Sequence, residues 1–282
     1  MTSVEEGLSC GQRDLLDVWL PGAQVTADHS WGLVGTTVLE LVHEGERYIV
    51  KAGDERDHHL AREITAHWQW LRPWRSPQRA PELVQADIKA KLLLTRFLEG
   101  ELVEGSPLEW DRETYRQAGE LLALLHAQST TEDVDYEATA NRRALKWLDS
   151  EHRIPAAVAS RLREEIAAWP TPCVMVVPTH GDWQPRNWLS HNGEVRVIDF
   201  GRAALRPALT DFARLAVQQF QRSPDLETAF IEGYGSDPRE PGAWRRNQIC
   251  EAIGTAVWAY QVGDVAFEQQ GHRMIAEALE GL

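Results

Sequence analysis

The chain has 282 residues, 43% hydrophobic and 26% charged, enough apolar content for a core in one or two domains and too much for intrinsic disorder. Its 29 basic residues against 43 acidic ones leave a formal charge of −14, which excludes nucleic acid or an anionic membrane as a partner chosen by basic surface. Three scattered cysteines, Cys10, Cys173 and Cys250, and an acidic opening without an apolar run argue against a disulfide framework, a zinc site and export, so a cytoplasmic protein is expected.

A short helix, "QRDLLDVW", opens the chain and is stopped by Pro21. "SWGLVGTTVLELVHEGERYIVKAG" reads as a β-hairpin, β-branched on both arms with the polar turn "HEGE" at 43 to 46. "DERDHHLAREITAHWQWLR" is helical, with Asp54 as the expected cap and Pro73 near its end; Leu60, Ile64, His67, Trp68 and Leu71 fall on one stripe and Glu63 on its flank. Strands at 83 to 88 and 90 to 97 complete a β-rich first third. After Gly100 helices dominate, within 106 to 128 and near 137 to 150, 155 to 168, 207 to 220, 224 to 234, 242 to 263 and 265 to 280. The expected architecture is α+β and two-lobed, with a small β-rich lobe over residues 1–98 and a larger α-helical lobe over 99–282.

Between the helices lie two polar stretches. "HGDWQPRNWL", residues 180 to 189, carries His180, Asp182, Arg186 and Asn187 within eight residues, and Gly181 and Pro185 prevent it from running as helix. It reads as a rigid loop entering a strand at "NWL", wedged by Trp183 and Trp188, with His180 bracing it through a backbone hydrogen bond. The strand "EVRVIDF" then brings Asp199 to its end, followed by Gly201. Across such a hairpin Asp199 and the amide oxygen of Asn187 form a hard-oxygen donor set suited to Mg²⁺. Asp182 would stand beside the ion and could take a proton from an attacking hydroxyl.

"HGDWQPRN" followed by "IDFG" resembles the catalytic and metal-binding loops of the aminoglycoside phosphotransferase and choline kinase-like family, small-molecule kinases with the protein-kinase fold. The resemblance implies that Asp182 is the catalytic base, that Asn187 and Asp199 hold Mg²⁺, and that ATP or GTP lies between two lobes. Lys51 in "YIVKA" would reach the α and β phosphates, with Glu63 as its partner. "LLLTRFLEG" resembles the hinge that reads the base, with Arg96, Phe97 and Leu98 as contacts, and Gly32 and Gly35 in "SWGLVGTT" could fold over the phosphates. No G-x-x-x-x-G-K-[ST] is present, so a P-loop is excluded, and "GLSCG" lacks the preceding strand of a nucleophile elbow. His58, His59 and His67 share a helix without metal-ligand spacing.

Arg186 could stabilise the transferring phosphoryl group or pair with Asp211, which resembles the family's structural aspartate. Only nine residues separate Gly201 from Asp211 and no A-P-E follows, which leaves no room for a peptide-binding activation segment and points to a small-molecule acceptor. The acidic balance suggests a cationic acceptor, and Trp244, Glu251 and Trp258 recur every seven residues on one helix as a possible ammonium site; burial of that helix on both sides is the alternative. The expected function is that of a kinase for an aminoglycoside or basic peptide antibiotic that confers resistance; a kinase for choline, an amino alcohol or a sugar and a nucleotide-binding scaffold are the alternatives. A monomer or a homodimer fits each.

Overall fold

The computed structural model describes residues 7–30 and 35–280. Ser9 caps helix α1 (Cys10–Trp19) in a reciprocal box: its hydroxyl accepts from the Gln12 N–H, and the Gln12 side chain accepts from the Ser9 N–H. Five antiparallel strands follow, β1 (Gln24–Asp28), β2 (Thr36–His43), β3 (Glu46–Gly53), β4 (Leu83–Asp87) and β5 (Leu92–Arg96), in the order β1-β2-β3-β5-β4. β2 and β3 are the expected hairpin. β1 was not expected; it is a short edge strand, bulged between Val25 and Ala27, with no buried residue to mark its period.

The strand period decides what each face of this sheet does. Tyr48, Val50 and Ala52 of β3 pack with Leu92 and Leu94 against Leu16 and Leu20 from the α1 region. Lys51 and its cross-strand neighbour Leu93 lie on the opposite face, where helix α2 (Leu60–Gln69) seats Leu60 and Ile64 on Leu93. α2 is shorter than expected. Asp54 caps the preceding turn, accepting from Arg56 and Asp57, and it is Asp57 that accepts from the N–H groups of His59 and Leu60 at the helix start. Leu60, Ile64, His67 and Leu71 are buried as expected, whereas Trp68 is 54% exposed and leaves the stripe.

Beyond Gly100 the chain builds two helical layers. α3 (Arg112–His126) packs on α7 (Pro224–Tyr234); α4 (Tyr136–Asp149), α5 (Ala156–Ala168), α8 (Pro241–Val262) and α9 (Val265–Glu280) share a second core. The expected helix at 207 to 220 is broken into a 3₁₀ turn (Ala208–Phe212), a single α-turn, α6 (Ala213–Leu215), and a π-helical turn (Ala216–Phe220). Two small sheets line the junction between sheet and helices: β10-β9-β6, from β6 (Glu101–Leu102), β9 (Trp188–His191) and β10 (Glu194–Val197), and β11-β8-β7, from β7 (Thr131–Asp133), β8 (Val174–Thr179) and β11 (Ala204–Arg206). β6, β7, β8 and β11 were not expected; three of them have two or three residues, too few to show a period, and Pro178 interrupts the signal in β8. Among the described residues no helix is long and apolar enough to cross a membrane.

Candidate active site

The sheet and α2 together position the first cluster. Lys51 Nζ donates to Glu63 Oε1 and Oε2 at 2.8 and 2.9 Å, and to Asp199 Oδ1 at 3.3 Å. Burial works against the ammonium, but the two carboxylates outweigh it and raise Lys51 above its ordinary range. Asp199, with its side chain 52% exposed, is held down to about 2, chiefly by Lys51 and against the cost of burial. β10 stops at Val197 and not at residue 200, because Asp199 adopts a left-handed backbone (φ 66°) that turns its carboxylate out of the strand. Phe200 is anchored by the rings of His67, Trp74 and His180, and the Gly201 carbonyl accepts from His59 Nδ1 at 2.9 Å, which ties α2 to the same turn.

Asp211 holds the second cluster from below. Its carboxylate accepts the N–H groups of His180 (2.8 Å) and Gly181 (2.6 Å) and the Nε2–H of His126 (3.1 Å). Tyr234 donates its hydroxyl to the other nitrogen of His126 at 2.8 Å. Gly181 has φ 80°, and a Cβ there would lie 2.4 Å from the Arg202 carbonyl oxygen, so only glycine fits. His180 braces the loop as expected: Nε2 donates to the Ile198 carbonyl at 3.1 Å while Nδ1 accepts the Asp182 N–H at 3.3 Å. Trp183 and Trp188 are fully buried wedges against each other.

The hairpin register brings the two clusters together. Trp188 pairs with Val197, so Asn187 stands opposite Ile198 and next to Asp199, and the Ile198 N–H donates to the Asn187 carbonyl at 3.0 Å. Asn187 Nδ2 donates to the Asp182 carbonyl (2.7 Å) and carboxylate (3.1 Å), which fixes the amide and leaves Oδ1 as its remaining ligand atom. Oδ1 of Asn187 and the half-exposed carboxylate of Asp199 fit a hard cation that keeps most of its ligands from phosphate and water. Among the described residues no group of three His, Cys, Asp or Glu side chains could hold a metal alone.

Asp182 is crowded by cations. Arg186 Nη2 donates to Oδ2 at 2.6 Å, Gln184 Nε2 to Oδ1 at 2.7 Å, and Arg214 Nε stands 3.7 Å from Oδ1. Burial disfavours the ionised carboxyl, yet Arg186, Arg202 and Arg214 outweigh it and lower it below the usual carboxylate range. Arg186 thus pairs with Asp182 and not with Asp211, which corrects the structural alternative for that residue. Gln184, His126, Arg202 and Arg214 were not singled out in the sequence. Gln184 lies inside the motif and Arg202 directly after it, the one available signal.

The remaining candidates divide. Gly32 lies outside the described residues; Gly35 opens β2, its carbonyl accepting the Asp54 N–H at 2.9 Å, with the Asp54 carboxylate packed on its Cα. Leu98 is buried, and the Phe97 N–H donates to the Arg47 carbonyl at 3.0 Å, so that group is engaged within the sheet. Arg96 makes ion pairs with Glu46 and Glu82. Trp244 packs against Arg239 and the α3–α7 core, whereas Trp258 sits edge-on to Phe267; fourteen residues of helix separate them by roughly 21 Å, so the two rings do not form one pocket. Glu251 lies 3.9 Å from Arg214.

Residues 33–246, well over half of the chain, match the family described as the phosphotransferase enzyme family. A solved aminoglycoside phosphotransferase in ternary complex with AMP-PNP and hygromycin B superposes with a TM-score of 0.70 at 12% identity, covering 96% of this chain and 98% of the other. A choline kinase from Streptococcus pneumoniae gives 0.67 at 14% identity, covering 96% and 98%. A macrolide 2′-phosphotransferase from Brachybacterium faecium gives 0.59 at 17%, covering 93% and 95%. At these identities the likeness shows a shared fold, the two-lobed protein-kinase-like one expected from the motifs. No curated protein sequence matches the chain.

Proposed function

The chain belongs to the phosphotransferase enzyme family, and on that premise we propose that it transfers the γ-phosphoryl group of ATP or GTP, with Mg²⁺, to a hydroxyl of a small molecule. The observation that carries the reading is the continuous contact path from Glu63 through Lys51 to Asp199, and through Ile198 and Asn187 to Asp182. Lys51, oriented by Glu63, neutralises the α and β phosphates; residues 96 to 98 border the base, and Gly35 the phosphates. Asn187 Oδ1 and Asp199 would hold the ion, which would supply positive charge to screen the phosphates. Residues 1–98 would serve the nucleotide and 99–282 the acceptor.

Asp182 orients the hydroxyl and receives its proton as the acceptor oxygen bonds to the γ-phosphorus and the bond from that phosphorus to the β-phosphate oxygen breaks. A carboxylate held at low pKa is a weak base, which suits a loose transition state in which the proton moves late. Two acidic oxygens offer about four lone-pair sites. Arg186 and Asn187 occupy those of Oδ2, and Gln184 takes one on Oδ1, so the hydroxyl goes to Oδ1. Arg186, adjoining Oδ2, would stabilise charge on the transferring group.

Antibiotic and metabolite acceptors use the same five residues, Lys51, Glu63, Asp182, Asn187 and Asp199, and a scaffold role is disfavoured because none of the five is missing. The test is nucleoside diphosphate release from Mg·ATP and Mg·GTP across a panel of hydroxyl acceptors, in the native chain and in Asp182→Asn. The substitution should lower turnover on the order of 10² to 10⁴ while AMP-PNP binding persists. Unchanged turnover in Asp182→Asn rejects the assigned base, and nucleotide binding without any transfer favours the scaffold.

A further inference from the structure

The acceptor side of Asp182 carries more positive charge than phosphoryl transfer requires. Oδ1, the oxygen left for the hydroxyl, is the one approached by Arg214. That side chain is 16% exposed, and among the described residues its guanidinium makes no hydrogen bond; its acidic neighbours, Asp182 and Glu251, stand at 3.7 and 3.9 Å. Arg202, half-buried one residue past Gly201, likewise donates no side-chain hydrogen bond among the described residues, and Arg206 grips its carbonyl at 2.9 Å and Thr179 at 3.0 Å. Burial lowers the Arg202 guanidinium from its ordinary range; the Asp182 carboxylate works against that shift, and the charges of Arg214 and Arg186 add to it. Arg62 is depressed by burial and by Arg206, Arg143 and Arg202, so the positive field continues outward from the loop.

Two half-buried guanidiniums without hydrogen-bonded partners, Arg214 at 3.7 Å from the oxygen that must take the hydroxyl and Arg202 within the field of the same carboxylate, match a planar or tetrahedral oxyanion better than an ammonium. The acidic total that suggested a cationic acceptor averages the whole surface; around Asp182 the sign is reversed. Resting on the phosphotransferase reading, we propose that the acceptor is itself an anion, its hydroxyl on Asp182 Oδ1 and a neighbouring carboxylate or phosphate group held by Arg214 and Arg202. The anionic group is a handle and is unchanged in the reaction; only the hydroxyl loses its proton, to Asp182, as it gains the phosphoryl group.

The test has two arms. Hydroxy acids and sugar phosphates, neutral sugars, and choline, ethanolamine and aminoglycosides are compared as acceptors by nucleoside diphosphate release, in the native chain and in Arg214→Gln and Arg202→Gln. Turnover with an anionic acceptor is expected, with its KM raised about 10- to 100-fold by either substitution and the nucleotide KM changed by less than about twofold. Whether hydroxy acids or sugar phosphates respond separates a carboxylate handle from a phosphate one. In the second arm, malonate and inorganic phosphate are the probes, added to protein saturated with Mg·AMP-PNP, and the thermal midpoint is read. Stabilisation present in the native chain and lost in both variants is expected. Turnover confined to cationic or neutral acceptors overturns the proposal, as does a midpoint insensitive to both anions. A chain that binds no Mg·AMP-PNP fails the phosphotransferase reading instead.

Discussion

Replacing Asp211 with Asn separates support beneath the loop from chemistry within it. The carboxylate is buried and accepts three donors, two of them the peptide N–H groups of His180 and Gly181 that immediately precede Asp182. Burial opposes its charge, but the hydrogen bond from His126 and the nearby His180 keep it ionised below the usual range. Asparagine preserves the volume but offers one acceptor oxygen and turns an NH₂ toward at least one donor. A hydrogen bond to a charged group contributes about 1.5 to 3 kcal/mol, and a buried donor left unpaired costs about 1 to 3 more. A net loss of roughly 2 to 4 kcal/mol follows after partial relaxation, or about 4 to 8 °C in Tm for a chain this long. Because the displaced groups carry the backbone of Asp182 and not the Lys51–Glu63–Asp199 cluster proposed to hold the nucleotide, kcat should fall about 10- to 100-fold with AMP-PNP affinity changed by less than about twofold. Thermal melts, steady-state kinetics and calorimetry read these quantities. A melting shift below about 1 °C, or nucleotide affinity lost in step with kcat, would refute the reasoning.

Gly181→Ala should be more damaging to turnover than its size suggests: a left-handed alanine costs about 1 to 2 kcal/mol, and its methyl meets the Arg202 carbonyl oxygen at 2.4 Å, so the loop must move. Kinetics within about threefold of the native chain would show that the loop tolerates the shift. His67 gives a pH dependence. Its ring is buried beneath Phe200, and burial, with help from Lys51, lowers its pKa to about 3. The unfolded chain takes up a proton near pH 6.5 that the native ring refuses, so stability is complete above that value and falls as pH drops from about 6.5 toward 3. Between pH 7 and 5 the loss is roughly 2 kcal/mol. His67→Leu should flatten that part of a urea-melt pH series; an unchanged slope would assign the acid sensitivity to other groups.

The site contacts were legible where the chemistry is short-range in sequence. Asp182 and Asn187 lie in one loop, and the hairpin that brings Asp199 beside them spans few residues. Lys51 and Glu63 could be paired because strand and helix periods each predict a face, and the 2.8 Å contact follows from both. The short strands β7 and β11 were invisible because three residues cannot display a period, and Asp54 misled because the cap belonged to Asp57, three positions on. Beyond Arg186 in the loop and the place of Arg202 directly after Gly201, the arginines could not be read. Residues 62, 143, 202, 206 and 214 sit on separate elements, so their convergence depends on how the layers pack, and a net charge of −14 carries no information about it.

The pairing of β6 with β9 has a mechanical meaning. Immediately after the crossing at 97 to 100, Glu101 and Leu102 are laced to Ser190 and Leu189, the Val103 N–H donates to the Trp188 carbonyl at 3.0 Å, and Arg196 holds the Glu99 carbonyl at 2.9 Å. The connection is therefore not a slack tether: it is stitched to the strand that leaves Asn187. Any swing of the upper sheet would turn about a pivot fastened to the strand that leaves Asn187, so such a swing and a shift of the amide proposed to hold the ion would be one movement.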